Sequence, residues 1–538
     1  MKHSAHRISR DFDLPVRLCR FSRRRTVCWA LLALGMIVAR LALLPLLPPP
    51  EPVIHDEFSY LLAADTFAHG RLANPALPLP EFFESPHVLV SPMYGSKYQP
   101  GQGMLLALGQ RLLGHPYWGV VLSGAAMVFL FCWAADAWLP PQWTLIAGGL
   151  SAILFFIRHY WFSSYWGGAL AACGGALVVG GLGRLLQGET HGKTTGASFS
   201  LSAGALILYI TRPYEGGVLC LVTLGILVFQ FLKERAERRG IWLRTVILPN
   251  VVVLLAAMPL IGWYNQRVTG HVTDLPYFEY SRQYDPVPTL WVLASYPDKE
   301  YSSANAAAAH NTERKDYLGV RQLGVPKAMA FQLFKFSLAG VWVQFLTFGL
   351  LLAGVPWARM HNRKKWLLLL LGSGIAALLL ETWINGHYTA PYTVVELILI
   401  VAAGRALWYR MAASRGRGLA FLAATIVLFT PLAMDYAAAI QAHPSERSTL
   451  IRRLESKGGK HLVLVDYATN WDSVHEWVYN GADLSASQVL FAHVRSDREN
   501  RLLMDHFPGR TAWVVRLGPA QSDVHLEPYA SAWARSAP

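Results

Sequence analysis

Charge is what this 538-residue chain has least of. Asp, Glu, Lys and Arg together make up 15% of it while hydrophobic residues make up 53%, against roughly 25% charge in a soluble globular protein. A soluble body of this size would lack the polar surface to cover itself. That excludes an ordinary cytosolic enzyme, a disordered chain and a collagen-like fibre, and leaves a polytopic membrane protein. Cysteine is scarce too. Cys19, Cys28, Cys132, Cys173 and Cys220 lie before or inside apolar segments, and none is spaced as a CxxC pair. A metal knuckle and a disulfide framework are excluded, and the thiols read as small buried hydrophobes. No internal repeat of solenoid period is present.

What charge there is has a pattern. Lys and Arg number 48 and Asp and Glu 34, a net +14. Arg17, Arg20, Arg23, Arg24 and Arg25 precede the first apolar run, and the other basic clusters fall between runs. This is the positive-inside pattern of a membrane protein, with no nucleic-acid-binding face. Apolar runs long enough to cross a bilayer read at 27–48, 116–138, 142–158, 168–187, 197–213, 216–232, 245–263, 336–355, 366–383, 391–409 and 418–435. The expectation is therefore an α-helical polytopic membrane protein of about eleven spans, with the basic N-terminus 1–26 cytoplasmic. The first run lacks a small-residue cleavage site and reads as a retained helix. Basic loops around 233–244, 359–365 and 405–417 fall on the cytoplasmic side of this alternation.

Three polar segments are too long to be turns, and all fall on the outer side: 49–115, 264–335 and the tail from 441 to 538. The membrane domain thus reads as 27–440. The tail reads as a small soluble α/β domain outside the membrane, with strands at 461–466 and 511–517 and a helix at 500–506.

The sharpest polar feature is His55-Asp56-Glu57, just after the first span. It opens a segment whose apolar spacing suits an amphipathic helix along the membrane surface, ended by Gly70. An ionised carboxylate at such a helix start is favoured by the helix dipole. It can take the proton of an incoming hydroxyl, or it can simply cap the helix. Farther along, Lys97 in Tyr94-Gly95-Ser96-Lys97-Tyr98-Gln99-Pro100-Gly101 precedes a second surface helix at 103–113. Lys97 suits a bound phosphate or a lipid headgroup. The outer ends of later spans read Arg158-His159-Tyr160-Trp161, Tyr165-Trp166-Gly167-Gly168, Arg212-Pro213-Tyr214-Glu215-Gly216 and His387-Tyr388-Thr389-Ala390-Pro391. Arg158, Arg212, His387 and Lys97 on one side would make a basic cup for a phosphate; snorkelling is the other reading. Tyr264, Tyr277, Tyr280, Arg282, Tyr284 and Asp285 in the second outer segment suit stacking on a sugar or acceptor, although any single one reads first as an ordinary tyrosine or charge of a folded loop. Arg40 and Glu396 lie inside spans, open to a buried ion pair or a transport role.

On these residues the chain resembles the GT-C glycosyltransferases, and most the branch of protein O-mannosyltransferases and the aminoarabinose transferase of lipid A. The resemblance rests on a long first outer loop opening with an acidic pair, the Lys97-Tyr98-Gln99-Pro100 stretch and the three outer signatures from Tyr165, Arg212 and His387. It covers roughly 27–435, and the tail has no counterpart in it. It implies a polyprenyl-phosphate-linked sugar as donor and a lipid, glycan or protein as acceptor. It makes Asp56, with Glu57, the catalytic position and Lys97 the holder of the donor phosphate. The family motif has lysine directly before proline, whereas Tyr98 and Gln99 intervene here. Arg158, Arg212 and His387 join the phosphate site by chemistry and side of the membrane, with His55, Tyr98, Tyr165, Tyr214, Glu215 and Tyr388 lining the substrate pocket. Attack on the anomeric carbon opposite a phosphate leaving group inverts its configuration. No cofactor is expected; a divalent metal is not indicated, although the acidic pair could hold one. The competing readings are a lipid-linked oligosaccharide flippase or transporter, whose ionisable residues would sit near the midplane, and a polysaccharide polymerase or ligase.

Overall fold

The computed structural model describes residues 23–157, 161–187, 191–336, 362–410, 444–468, 471–519 and 523–530. Helix α1 (Arg25–Leu43) is followed by α2 (His55–Ala68), a short antiparallel pair β1 (Val88–Leu89) and β2 (Gly95–Ser96), and α3 (Pro100–Leu113). Then come α4 (Tyr117–Asp136), α5 (Pro141–Ile157), α6 (Ala169–Leu185), α7 (His191–Tyr209), α8 (Pro213–Lys233) and α9 (Ala236–Thr269), which carries a π turn at Leu243–Ile247. The long segment after α9 folds as α10 (Pro276–Gln283), α11 (Ala304–Gln322) and α12 (Val325–Phe336), ahead of α13 (Asn362–Leu380) and α14 (Thr393–Arg410).

Among the described residues five helical stretches are long and apolar enough to cross a membrane: α1, α4, α8, α9 and Gly386–Ala406, with α5 and α6 as shorter apolar helices. This is a multi-pass membrane protein, but the expected eleven spans are not reproduced. The runs at 197–213 and 366–383 fall on α7 and α13, which open on polar residues such as Lys193, Arg363 and Lys364. The runs at 336–355 and 418–435 lie outside the described residues.

The bundle core gathers Phe131, Ala172, Val179, Leu182, Leu370 and Ile398. Helix α6 is built from Gly and Ala, and that allows backbone approach without a hydrophobic driving force between helices. A Cβ at Gly175 would lie 2.0 Å from the Pro391 carbonyl oxygen, and one at Gly204 would lie 2.6 Å from the Gly174 carbonyl. Arg40, left open as an ion-pair or transport residue, ties its helix to the turn that follows it. Its guanidinium sits 4.8 Å from the Tyr117 ring centre and donates to the Leu47 and Pro48 carbonyls at 2.8 and 3.3 Å.

Helix α2 differs from the amphipathic surface helix expected. Tyr60, Leu62, Ala63, Ala64 and Thr66 are all buried, so its apolar residues are spread around the axis rather than along one stripe. It packs on α3, and Phe58 and Leu62 pack against residues of the C-terminal unit.

That unit comprises α15 (Glu446–Glu455), β3 (Lys460–Tyr467), β4 (Val489–His493), α16 (Asp497–His506), β5 (Arg510–Leu517) and β6 (Val524–Pro528). Its sheet runs in the order β4-β3-β5-β6, parallel except for the β6 edge. The expected strands and helix of the tail are present, and Leu462, Leu464 and Val514 turn the sheet's apolar face toward the loop between α2 and α3.

Candidate active site

The site begins with a helix start that its N-cap residue cannot satisfy. Ile54 caps α2 and carries no side-chain acceptor, although the first N–H groups of any helix need one. Glu57 supplies it by turning back to accept from Val53 N–H at 3.0 Å and Ile54 N–H at 3.3 Å, while its other oxygen accepts from Tyr165 N–H at 3.0 Å. Glu57 is therefore cap and tether at once. Tyr165 completes the tie by donating its hydroxyl to the Pro50 carbonyl at 2.9 Å.

Capping being Glu57's task, Asp56 is released into a polar cluster. The Tyr98 hydroxyl donates to Asp56 Oδ1. His55 Nδ1 lies 2.9 Å from Oδ2, and His87 Nδ1 lies 3.5 Å from Oδ1. The Tyr98 oxygen is also 2.9 Å from His87 Nδ1. Since the phenol's single proton goes to Asp56, the His87 nitrogen must be the donor in that contact, which assigns its Nδ1–H tautomer.

His87 is the functional residue that sequence reasoning missed. It is brought in by the β1–β2 pairing, whose register places Val88 opposite Ser96 and so His87 beside Lys97. Its backbone is left-handed, with φ of 65°. That conformation costs a non-glycine residue of order 1–3 kcal/mol and needs support from its surroundings. The support is complete: His87 N–H donates to the Tyr280 hydroxyl at 2.9 Å, and its carbonyl accepts from Ser59 Oγ at 2.7 Å and Lys97 N–H at 3.2 Å.

Burial pushes the Asp56 carboxyl up, but His87 and His55, by charge and hydrogen bonding, outweigh it and hold the group well below the usual carboxylate range. Burial first, then Lys97 and His55, push the His87 imidazole well below its ordinary value. Burial and the neighbouring Asp56 charge raise the Tyr98 phenol well above its own. The phenol of Tyr98 donates to the carboxylate, and the imidazole N–H of His87 donates in turn to the Tyr98 oxygen.

Lys97 lies on the other side of Tyr98. Only 6% exposed, its ammonium sits 5.6 Å from the Tyr98 ring centre, 5.3 Å from Tyr277 and 4.6 Å from Tyr280. It makes no side-chain hydrogen bond or ion pair among the described residues. The aromatic faces stabilise the charge, yet its three N–H donors point at no acceptor. Asp285 feels its charge, and burial, only partly opposed by Lys97, raises that carboxyl.

Arg212 sits 3.6 Å from Glu215 and 4.6 Å from the Tyr388 ring centre. The charges of Asp56 and Arg212 both act on Tyr60, Tyr98 and Tyr388. The two therefore flank one aromatic group, within which Tyr60 and Tyr98 stack at 4.4 Å. His387 is buried against Trp166 at 5.1 Å and Tyr388 at 4.8 Å. Of the residues singled out in the sequence, the fold gathers His55, Asp56, Lys97, Tyr98, Arg212, Glu215 and Tyr388, with His387 alongside. Tyr214 instead donates to the Ala377 carbonyl of α13 at 3.1 Å. Arg158 lies outside the described residues.

A divalent cation also has candidate ligands here. Donor atoms of His55, Asp56 and His87 all lie within 4.8 Å of one another, and His55 Nδ1 is buried without a well-formed hydrogen bond. Two imidazoles and a carboxylate suit a first-row divalent ion.

No family model matches this chain, and no curated protein does. Solved structures do. The ArnT of Cupriavidus metallidurans, crystallised with undecaprenyl phosphate, is 14% identical, with 91% of this chain and 93% of that one aligned at a TM-score of 0.52. The oligosaccharyltransferase of Archaeoglobus fulgidus, crystallised with zinc and sulfate, is 12% identical over 91% of this chain and 67% of that one, at a TM-score of 0.45. The first likeness shows a shared fold.

Proposed function

We propose that the chain is a membrane glycosyltransferase that moves a sugar from a polyprenyl-phosphate-linked donor to an extracytoplasmic lipid, glycan or protein acceptor, with inversion at the anomeric carbon. The observation that carries this reading is the juxtaposition of a buried, ionised carboxylate with a buried ammonium whose hydrogen bonds are unspent, joined through Tyr98. The carboxylate matches a general base for an acceptor hydroxyl. The ammonium matches the charge that grows on a departing phosphate, together with Arg212 across the same aromatic group. The chain likeness to ArnT, a protein crystallised with a polyprenyl phosphate, agrees with this donor class.

In this mechanism Asp56 takes the acceptor proton as the oxygen attacks. Tyr98 holds the carboxylate's orientation by donating to it, and His87 holds Tyr98 by donating to the phenol oxygen. The C–O bond to the phosphate breaks on the opposite face, and Lys97 and Arg212 neutralise the phosphate it releases. The lipid chain would lie among the exposed apolar residues of the bundle. We further place the N-terminus in the cytoplasm, and the site and the C-terminal unit outside, from the positive-inside pattern.

The test compares cells lacking the chain with cells complemented by wild type or Asp56→Asn. Mass spectrometry of membrane glycolipids and glycoproteins should show a sugar-sized increment that wild type restores and Asp56→Asn does not, at equal membrane levels. Restoration by Asp56→Asn would refute the assignment.

A further inference from the structure

We propose that residues 476–482 of the C-terminal unit form a clamp that sets the Asp56–His87 geometry, with Tyr479 as its positioning residue; this rests on the reading of Asp56 as the base. Tyr479 is 5% exposed and touches both strands of chain that carry the site. Its ring stacks on Phe58, two residues beyond Asp56, with centroids 4.4 Å apart and planes within 4°. Its hydroxyl donates to the carbonyl of Pro86, the residue before His87, at 3.1 Å. One side chain thus bridges α2 and the loop whose reactive groups must meet.

The rest of the segment repeats the connection. Ser85 Oγ donates to the Val478 carbonyl, Tyr94 donates to the Asn480 carbonyl at 3.0 Å, and Ala482 N–H donates to Asp65 Oδ2 at 2.7 Å. The segment is itself anchored on the C-terminal side. Glu476 accepts from Trp477 N–H at 2.8 Å, Val478 N–H at 2.7 Å, the Tyr467 hydroxyl, and Asn305 Nδ2 of α11 at 2.7 Å. Arg447 donates to the Trp477 and Tyr479 carbonyls at 3.0 and 2.7 Å while its guanidinium lies 4.8 Å from the Phe58 ring centre.

The energetic logic favours positioning over bulk stability. The clamp's anchors, Glu476 and Arg447, hold it to its own unit, and Tyr479 spends both its ring and its hydroxyl on the catalytic loop. A misplacement of about 1 Å at reacting groups costs roughly 10²-fold in rate, so a contact that keeps two loop segments in register is read in turnover. Lys97 sits on the far side of Tyr98, and its aromatic cage of Tyr98, Tyr277 and Tyr280 contains no clamp residue. Donor capture should therefore not depend on Tyr479.

The experiment uses the full chain in nanodiscs, with the sugar-transfer product identified above as the activity readout and undecaprenyl phosphate as the binding probe. Tyr479→Leu should lower kcat at least 10-fold while leaving the undecaprenyl phosphate Kd and the melting temperature nearly unchanged; Tyr479→Phe, which keeps the stack on Phe58 but loses the bond to Pro86, should recover only part of the rate. Should Tyr479→Leu not accumulate, Phe58→Leu removes the same stack from the other side and is read in the same way. Wild-type kcat in the accumulating variant, or a kcat loss matched by an equal loss in donor Kd, overturns the clamp. If Asp56→Asn is inactive while the clamp variant is not, only the clamp falls; if Asp56→Asn is active, the base assignment falls with it.

Discussion

The Tyr98 hydroxyl donates to Asp56 while the ring of the same residue stands 5.6 Å from the Lys97 ammonium. One side chain therefore contacts both charges of the proposed reaction and keeps them from forming a direct ion pair. That separation matters, because a direct ion pair would neutralise the base and the phosphate holder together.

Lys97 should act on the donor and little on the base. Losing a charge-assisted contact to phosphate costs about 1.5–3 kcal/mol, or roughly 10- to 150-fold. Lys97→Met is expected to weaken undecaprenyl phosphate binding by that factor, read by titration of the purified protein. Unchanged affinity would remove Lys97 from the phosphate site.

Glu57 should behave as structure. Its carboxylate serves three backbone N–H groups, and each buried N–H left without an acceptor costs about 1–3 kcal/mol. Glu57→Ala is expected to lower the melting temperature and the membrane level, while the surviving folded protein keeps its turnover. A stable but inactive Glu57→Ala would return Glu57 to the chemistry.

The joint between the C-terminal unit and the segment after α1 should respond to acid. Burial pushes Glu51 up, but hydrogen bonds from Ser448, Ser445 and Arg452 bring its carboxyl below the ordinary value. A carboxyl lowered on folding adds stability that is complete above its unfolded value, about 4.3, and is lost as pH falls through the lower folded value. Amide protection factors over 444–455 should hold constant from neutrality to about pH 5 and fall below about pH 4. Glu51→Gln should exchange faster at neutral pH and lose that pH dependence.

Metal addition separates a free carboxylate from a ligated one. Zinc held by His55, Asp56 and His87 would occupy the lone pairs that the base needs. Micromolar zinc is expected to inhibit transfer, a chelator to reverse it, and His55→Asn to blunt the inhibition. Activation by zinc with inhibition by the chelator would show that the carboxylate works as a ligand.

Much of this protein was legible locally. Apolar length marks α1, α4, α8 and α9, and short apolar runs mark β3 and β5, because each signal is contained within one element. Asp56 and Lys97 stood out by type and place. The role of Glu57 did not, since its third partner, Tyr165, is 108 residues away. Nor did that of Arg40, whose partner Tyr117 lies 77 residues on and accepts a hydrogen bond from its guanidinium.

The sequence by itself thus determined that the chain carries several apolar helices long enough to cross a membrane and which polar residues follow the first of them, because apolar length is read residue by residue along a single helix. Only the tertiary structure decided that Asp56 meets Tyr98 across 42 residues, that His87 is held by Tyr280 across 193, and that Tyr479 reaches Pro86 across 393. Such contacts depend on loop closure and packing shared by many elements, and no local pattern of residues encodes them.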